Sequence, residues 1–248
     1  SLQGLAEQFG LLVKTLEMVQ ELVDVPLSID SSVNPAIEAG LKVAKGRPLV
    51  NSVTGEEEKL EAILPLIKKY DVPVVAISND ETGISEDPDV RFAVARKIVE
   101  RAADFGIPAH DIVVDPLVMP IGAMGTAGKQ LFARVRRLRE ELGVNTTCGL
   151  SNISFGLPHR HGINAAFIPM VIASGMTSAI MNPCRPQEME MVHAANVLAG
   201  NDADCTNWIM TYRDHAPAAA NANAGAAPTP AASSGGRRRG GRAARARG

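Results

Sequence analysis

The feature that most constrains this chain is a regular alternation of amphipathic helical patterns with short apolar runs that end on polar residues. The helical patterns lie at about 5–24, 34–45, 57–70, 88–105, 129–142, 163–175 and 187–199. The apolar runs lie at about 26–30, 48–51, 73–78, 111–115, 147–152 and 178–182. Parallel strands must be joined by crossover connections, which are usually helices. The alternation therefore predicts a parallel α/β fold from about residue 5 to residue 214.

The ends of the apolar runs are polar. Five of the six runs finish on an aspartate or asparagine, and the sixth finishes on a serine that is followed by both residue types; these residues are Asp30, Asn51, Asp115, Asn152, Asn182 and Ser78-Asn79-Asp80. Such residues often do no more than cap the next helix or begin a turn. In a parallel barrel, however, the C-terminal strand ends surround the active site. A full set of them therefore favours a polar site at one mouth.

The number of strands bears on the closure of the sheet. Only six strands can be identified, and the sequence begins within a helical pattern rather than at a strand. A closed TIM (β/α)8 barrel needs eight strands, so we expect an α/β barrel whose first two strands are not part of this sequence. The alternative is an open six-stranded doubly wound sheet, in which the polar strand ends would not converge on one centre.

Charge and composition divide the chain in two. At 248 residues and 46% hydrophobic, the chain can bury a full core in one domain, which we place at 1–215. Residues 216–248 contain six arginines and no acid, so removing them from the net charge of −2 leaves −8 on the folded part. This Ala/Gly/Pro-rich, Arg-rich tail is expected to be disordered. Without aromatic residues or a folded scaffold, it does not favour binding to nucleic acid.

Several classes of protein are disfavoured by what the sequence lacks. No apolar run is long enough to span a membrane and no signal peptide is recognisable, so we expect a cytoplasmic location. The cysteines Cys148, Cys184 and Cys205 are odd in number and lack C-x-x-C spacing, which favours buried free thiols over disulfides or structural zinc. His159 and His161 lack further ligands at suitable spacing, so we assign them to the surface or the pocket rim and predict no metal site. No lysine ends a strand, which disfavours Schiff-base chemistry.

One segment carries a specific resemblance. Residues 149–158, Gly-Leu-Ser-Asn-Ile-Ser-Phe-Gly-Leu-Pro, followed by Arg160, resemble the signature of the folate domain of cobalamin-dependent methionine synthase and of methyltetrahydrofolate:corrinoid iron-sulfur protein methyltransferases. Four further segments agree in order and spacing: 29–31 with 36–41, 50–52, 80–84 and 115–117. Five motifs in order at strand ends are far more specific than any one of them.

The resemblance implies a pterin-binding TIM barrel, typically a homodimer, that holds methyltetrahydrofolate in its mouth. It implies that Asp30, Asn51 and Asp115 bind the pterin ring and that Asn152 lies beside N5, the nitrogen that carries the methyl group. Asp80 and Arg160 would border the pocket. Phe155 occupies a position where some free-standing relatives have a polar residue, so a second amide beside N5 is not expected.

The chemistry of these residues suits methyl transfer. Carboxylates and amides match the donors and acceptors of a pterin edge, and an Asn152 amide can stabilise charge that develops at N5. The corrinoid-binding signature Asp-x-His-x-x-Gly is missing, so cobalamin should arrive on a separate protein. Two alternatives stay open: a dihydropteroate synthase-like enzyme, whose basic strand-end motifs are not seen here, and a non-catalytic pterin-binding subunit.

Overall fold

The computed structural model describes residues 2–215, with side chains for 9–214, so the predicted tail lies outside the described residues. Eight α-helices are described: α1 Leu2–Leu22, α2 Asn34–Val43, α3 Glu57–Tyr70, α4 Pro88–Asp104, α5 Ala127–Arg137, α6 Arg160–Ala173, α7 Pro186–Leu198 and α8 Thr206–Tyr212. The strands are β1 Ser28–Asp30, β2 Leu49–Thr54, β3 Val74–Ile77, β4 Ile112–Asp115 and β5 Asn145–Thr146. Shorter helical turns lie at Ala109–Asp111, Leu138–Leu142, Leu150–Ser154, Ala203–Cys205 and Arg213–His215.

The strands form one parallel sheet in the order β1-β2-β3-β4-β5. Strand register places Asp30 opposite Asn51, and Ile77 opposite Asp115. Buried β-branched residues dominate β3 and β4, as expected of parallel strands that are covered on both faces. Because all five strands run in one direction, their C-terminal ends lie along one edge of the sheet.

A sixth segment continues the sheet beyond β5, as the sequence predicted. Gly149 forms a parallel bridge with Ile180, and the Ile180 N–H donates to the Cys148 carbonyl at 2.8 Å. The Ser178 N–H donates to the Thr146 carbonyl at 3.0 Å. Among the described residues, β1 therefore forms one edge of the sheet and the 178–180 segment forms the other.

Helix packing separates a barrel from a doubly wound sheet. Each helix from α1 to α6 packs against the next one in the chain, and α6 against α7 is the most extensive of these contacts. In a doubly wound sheet the helices alternate between faces or change face at a switch point, where strand order also reverses. Here the strand order never reverses. The described part of the chain is therefore an arc of singly wound barrel, and the doubly wound alternative is wrong.

Helical spacing of apolar residues explains how the outer helices attach to the sheet. In α3, the residues Leu60, Ile63, Leu64 and Ile67 share one fully buried face. Burial of each such side chain contributes about 1.5–3 kcal/mol. A second apolar cluster, which includes Leu131, Ile153 and Phe167, packs α5 and α6 against the turn after β5.

One predicted boundary near β5 is wrong. The strand predicted at 147–152 is Asn145–Thr146, and Leu150–Ser154 forms a 3₁₀ helix, so Asn152 lies in a turn rather than at a strand end. The helix predicted at 129–142 runs as α5 and then as a π-helix over Leu138–Leu142, which Gly143 ends at a φ of 64°.

The chain divides by internal contacts into Ser1–Trp208 and Ile209–Gly248. All residues of the predicted site lie in the first unit. In the second unit, the described residues 209–215 are helical. The domain boundary placed at 215 from the sequence stays a prediction.

Candidate active site

Two predicted site residues meet at the ends of β1 and β2. Asp30 and Asn51 are paired in register, and Nδ2 of Asn51 donates a hydrogen bond to Oδ2 of Asp30 at 3.2 Å. The Asp30 carboxylate is exposed and Asn51 is half-buried. The pair therefore offers carboxylate and amide oxygens to a ligand at the sheet edge.

Asp115 ends β4 in a more enclosed setting. Its Oδ1 accepts the Leu117 N–H at 2.8 Å, while its backbone carbonyl accepts both the N–H and the hydroxyl of Ser78, at 3.2 and 2.7 Å. Burial raises the pKa of this carboxyl to about 6, although the Leu117 N–H and the positive charge of Arg134 act in the opposite direction. Oδ2 has no hydrogen-bond partner in the described part of the chain, so it is available to a ligand donor.

Asp80 organises its own loop. Its Oδ1 accepts the Thr82 hydroxyl at 2.6 Å and the Thr82 N–H at 2.9 Å, and these bonds lower the pKa of the carboxyl. The Asp80 residue also forms a bridge with Gly83. Its contact with a pterin stays a prediction, because the bonds that are described serve the turn itself.

Asn152 is an exposed residue in the 3₁₀ turn Leu150–Ser154. Its N–H donates to the Gly149 carbonyl at 3.1 Å. A Cβ added at Gly149 would lie only 2.9 Å from Nδ2 of Asn152, so the glycine makes room for the amide. On the same turn, Leu150 and Ile153 are buried, which anchors the backbone while the amide faces outward.

Arg160 holds the turn that carries Asn152. Its guanidinium donates to the Ser151 carbonyl at 2.6 Å and to the Ser154 hydroxyl at 3.1 Å, and it lies 5.7 Å from the ring of Phe155. Arg160 begins α6, so the clamp joins the turn to the helix that follows it. Its contacts within the chain are those of a residue that positions the turn.

The sequence analysis missed a buried polar network behind this clamp. The Ser154 hydroxyl donates to Oδ1 of Asn164 at 2.8 Å, and Nδ2 of Asn164 donates to Oε1 of Glu188 at 3.2 Å. The same Glu188 oxygen lies 2.9 Å from Nδ1 of His161, which is half exposed as its predicted rim position implies. Ser154, Asn164 and Glu188 are at most 4% exposed. Only Ser154 falls within a motif, so no sequence signal distinguished Asn164 or Glu188 from ordinary helix polar residues.

Two buried arginines near Asp115 were also missed. Arg91 of α4 and Arg134 of α5 are 2% and 4% exposed, and both approach the Leu117 carbonyl. Each lies in a helical pattern where an arginine normally faces solvent. Their burial could not be deduced without the positions of neighbouring helices.

The cysteines fit the predicted free thiols, but not all of them are buried. Cys148 is buried, and burial together with Asp115 raises the pKa of its thiol to about 12. Cys184 is exposed and Cys205 is half-buried, which corrects the expectation for these two residues. Over residues 2–215, no group of three or more His, Cys, Asp or Glu side chains could hold a metal ion. None of the helices described is both long and apolar enough to cross a membrane.

An apolar groove lies outside the strand-end region, between α5 and α6. It has a volume of about 670 Å³ and includes Phe132, Ile163, Phe167 and Met170 among its lining residues. None of the six predicted site residues lines it. The groove nevertheless adjoins the turn that carries Asn152, because Ile153 of that turn lines it.

Comparison with known proteins identifies the family of this chain. A family model described as pterin binding enzyme matches residues 5–182. The chain is 33% identical over 201 residues to a methylcorrinoid:tetrahydrofolate methyltransferase of Eubacterium limosum. The match covers 80% of this chain and 74% of that protein. It is 30% identical over 190 residues to methionine synthase of Mycobacterium leprae, but this match spans 71% of the chain and only 15% of methionine synthase.

Solved structures give the same fold. Dihydropteroate synthase of Yersinia pestis superposes with a TM-score of 0.62 at 18% identity, over 76% of this chain and 78% of that one. At this level of identity the likeness supports the fold alone. Together with the family match, it shows that this chain belongs to the pterin-binding enzymes and has their barrel fold.

Proposed function

We propose that this chain transfers a methyl group between N5 of methyltetrahydrofolate and the cobalt of a corrinoid carried by a separate protein. The observation that carries the proposal is an exposed Asn152 amide, held on a clamped turn at the same end of the sheet as the Asp30–Asn51 pair and Asp115. The similarity to a methylcorrinoid:tetrahydrofolate methyltransferase over most of both chains supports this reaction class.

Recognition of the pterin falls to the strand-end residues in this proposal. The pterin edge presents ring N–H groups and an exocyclic amine, and carboxylate oxygens can accept hydrogen bonds from these donors. Asp115 offers its Oδ2 for this purpose, and the Asp30–Asn51 pair offers acceptors at the neighbouring end of the sheet. Asp80 and Arg160 are proposed as border residues of the pocket.

Asn152 is the proposed catalytic residue. During transfer the N5–CH₃ bond breaks and a cobalt–carbon bond forms, so N5 keeps an electron pair and takes up a proton. An amide N–H beside N5 stabilises this pair more strongly as the bond breaks than in the ground state. A donor that is already in position lowers the barrier because it needs little reorientation during the reaction. The Arg160 clamp holds the backbone of the turn that carries Asn152.

The partner, the assembly state and the location belong to the same proposal. The corrinoid is expected on a separate protein because the chain lacks a corrinoid-binding signature. We also propose a homodimer and a cytoplasmic location, with no membrane or nucleic-acid partner. Sedimentation velocity on the purified chain tests the dimer, and a monomer at all concentrations would contradict it.

Methyl transfer in the Asn152→Ala variant tests the proposed function. Loss of one preorganised donor should reduce turnover by about 100-fold to 1000-fold, while calorimetry should show little change in methyltetrahydrofolate affinity. Asn201→Ala, at an exposed asparagine after α7, is the matched control and should keep full activity. Equal rates in the wild type and Asn152→Ala would remove Asn152 from the mechanism.

Two outcomes would favour the alternatives. Methyltetrahydrofolate binding by the wild type with no methyl transfer would indicate a non-catalytic pterin-binding subunit. Condensation of a dihydropterin with p-aminobenzoate would indicate a dihydropteroate synthase-like enzyme.

A further inference from the structure

Two buried arginines, Arg91 and Arg134, lie at the turn that follows Asp115. Nη1 of Arg91 donates to the Leu117 carbonyl at 3.2 Å, and Nη2 of Arg134 approaches the same oxygen at 3.5 Å. Nε of Arg91 also donates to the Ser85 carbonyl. Two cations from different helices therefore share one backbone acceptor.

This arrangement is poorly explained by stability alone. Nε and Nη1 of Arg134 are buried without a hydrogen-bond partner in the described part of the chain. Burial and the like charge of Arg91 lower the pKa of Arg134 to about 10, and Asp115 is the carboxylate that opposes this shift. Buried arginines are ordinarily paired with a carboxylate, because desolvation of an unpaired charge costs several kcal/mol.

The turn at 115–117 connects these cations to the predicted ligand site. Leu117 has a φ of 60°. In this conformation its N–H donates to Oδ1 of Asp115, while its carbonyl accepts from the arginines. A non-glycine residue rarely adopts this conformation unless its surroundings hold it there. The turn is thereby held at the Leu117 carbonyl by Arg91 and Arg134 and at the Leu117 N–H by Asp115.

We propose that Arg134, with Arg91 beside it, is a positioning residue that fixes the turn at 115–117 and keeps the Asp115 carboxylate charged and directed at the pterin. The identity of the ligand in this statement rests on the function proposed above. The arginines themselves do not touch the substrate.

The groups that face Asp115 support a role for charge. Arg134 on α5 is the cation that acts on it, and Leu117 supplies the N–H. On the β5 side, Cys148 has a thiol pKa raised to about 12, so it stays neutral. Near Arg91, Glu86 acts on that arginine. Among these neighbours, the Leu117 N–H and, after it, the charge of Arg134 partly oppose the effect of burial on Asp115.

The test measures Asp115 directly in the ligand-free protein. Carbon-13 labelling of aspartate, with the Asp115 signal assigned by its absence in Asp115→Asn, follows the titration of this carboxyl. Arg134→Gln keeps an N–H donor for Leu117 but removes the charge, and should raise the midpoint by about one pH unit. Arg134→Lys keeps the charge and should restore most of the wild-type midpoint.

Controls separate this inference from the proposed function. Arg136→Gln, at an exposed arginine of the same helix, should leave the midpoint unchanged, and Arg134→Met replaces Arg134→Gln if the latter does not fold. A midpoint that is the same in the wild type and in the charge-free variant would overturn the inference. Failure of the wild type to bind methyltetrahydrofolate would overturn the proposed function and leave this titration result unaffected.

Discussion

Asp115 makes the folded chain less stable at neutral pH, and the size of this effect can be predicted. Its carboxyl has a pKa of about 6 in the folded chain against an ordinary value of 3.8. A carboxyl whose pKa is raised by folding holds its proton more tightly in the folded state. Its contribution to stability is therefore greatest below the unfolded pKa, and it is lost as the pH rises through the folded pKa.

The magnitude follows from the shift. A difference of about two pKa units, at about 1.4 kcal/mol each, gives about 3 kcal/mol in full. About 2.5 kcal/mol of this falls between about pH 4 and about pH 7, because the unfolded carboxyl is already partly ionised at the lower pH. Asp115→Asn removes the titration while Leu117 keeps an oxygen to donate to. The stability of the variant relative to the wild type should thus rise by about 2.5 kcal/mol across this range.

Urea denaturation of both proteins at a series of pH values measures this difference. The other carboxylates are common to both proteins, so their titration cancels in the difference between the two free energies of unfolding. Leaving Arg134 without its carboxylate adds a constant to this difference and does not change its dependence on pH. Asp24→Asn, at an exposed carboxylate, corrects for the loss of one negative charge. A difference that stays flat within about 0.5 kcal/mol would refute the raised pKa, and with it the burial that causes it.

Three substitutions test the turn and the packing. Gly149→Ala puts a Cβ 2.9 Å from Nδ2 of Asn152, so methyl transfer should fall by about 100-fold at nearly unchanged methyltetrahydrofolate affinity. Equal rates in the variant and the wild type would show that methyl transfer does not need the amide in its present position. Arg160→Met removes two hydrogen bonds to that turn and should lower kcat more than it raises KM, with partial recovery in Arg160→Lys. Gly55→Ala puts a Cβ 2.7 Å from Val94 and should lower the free energy of unfolding by about 1–3 kcal/mol in urea; an unchanged midpoint would show that Val94 can move aside.

Much of the fold was predictable because the signal is local. Helical and strand periodicities placed α4 and most other elements to within a few residues. The error near β5 has a physical reason. The apolar run at 147–152 reads as a strand, but its pairing with the 178–180 segment ends at Leu150, where the chain turns into a 3₁₀ helix. Such an ending depends on a partner distant in sequence.

The candidate site was predictable only where its residues form part of a strand-end pattern. Asp30, Asn51 and Asp115 follow apolar runs, so their position at one edge of the sheet could be inferred. Arg134 and Glu188 could not, since each gains its role from burial between helices. Sequence patterns therefore indicated which groups could face a ligand. They did not indicate the buried groups, such as Arg134 and Glu188, that support those residues.

Asp115 is half-buried whereas Asn152 is exposed, and this difference in exposure fits a reaction between two proteins. A residue that only binds the pterin gains from a recessed position, where lower exposure to water strengthens its hydrogen bonds. In the proposed reaction, the nitrogen that gives or receives the methyl group must instead be reachable by a corrinoid held on another protein. Asn152 is exposed, and Phe155 beside it is 65% exposed, so this side of the proposed site is open to an approaching partner. On this open side, Arg160 holds the backbone of the turn that carries Asn152 through its bond to the Ser151 carbonyl.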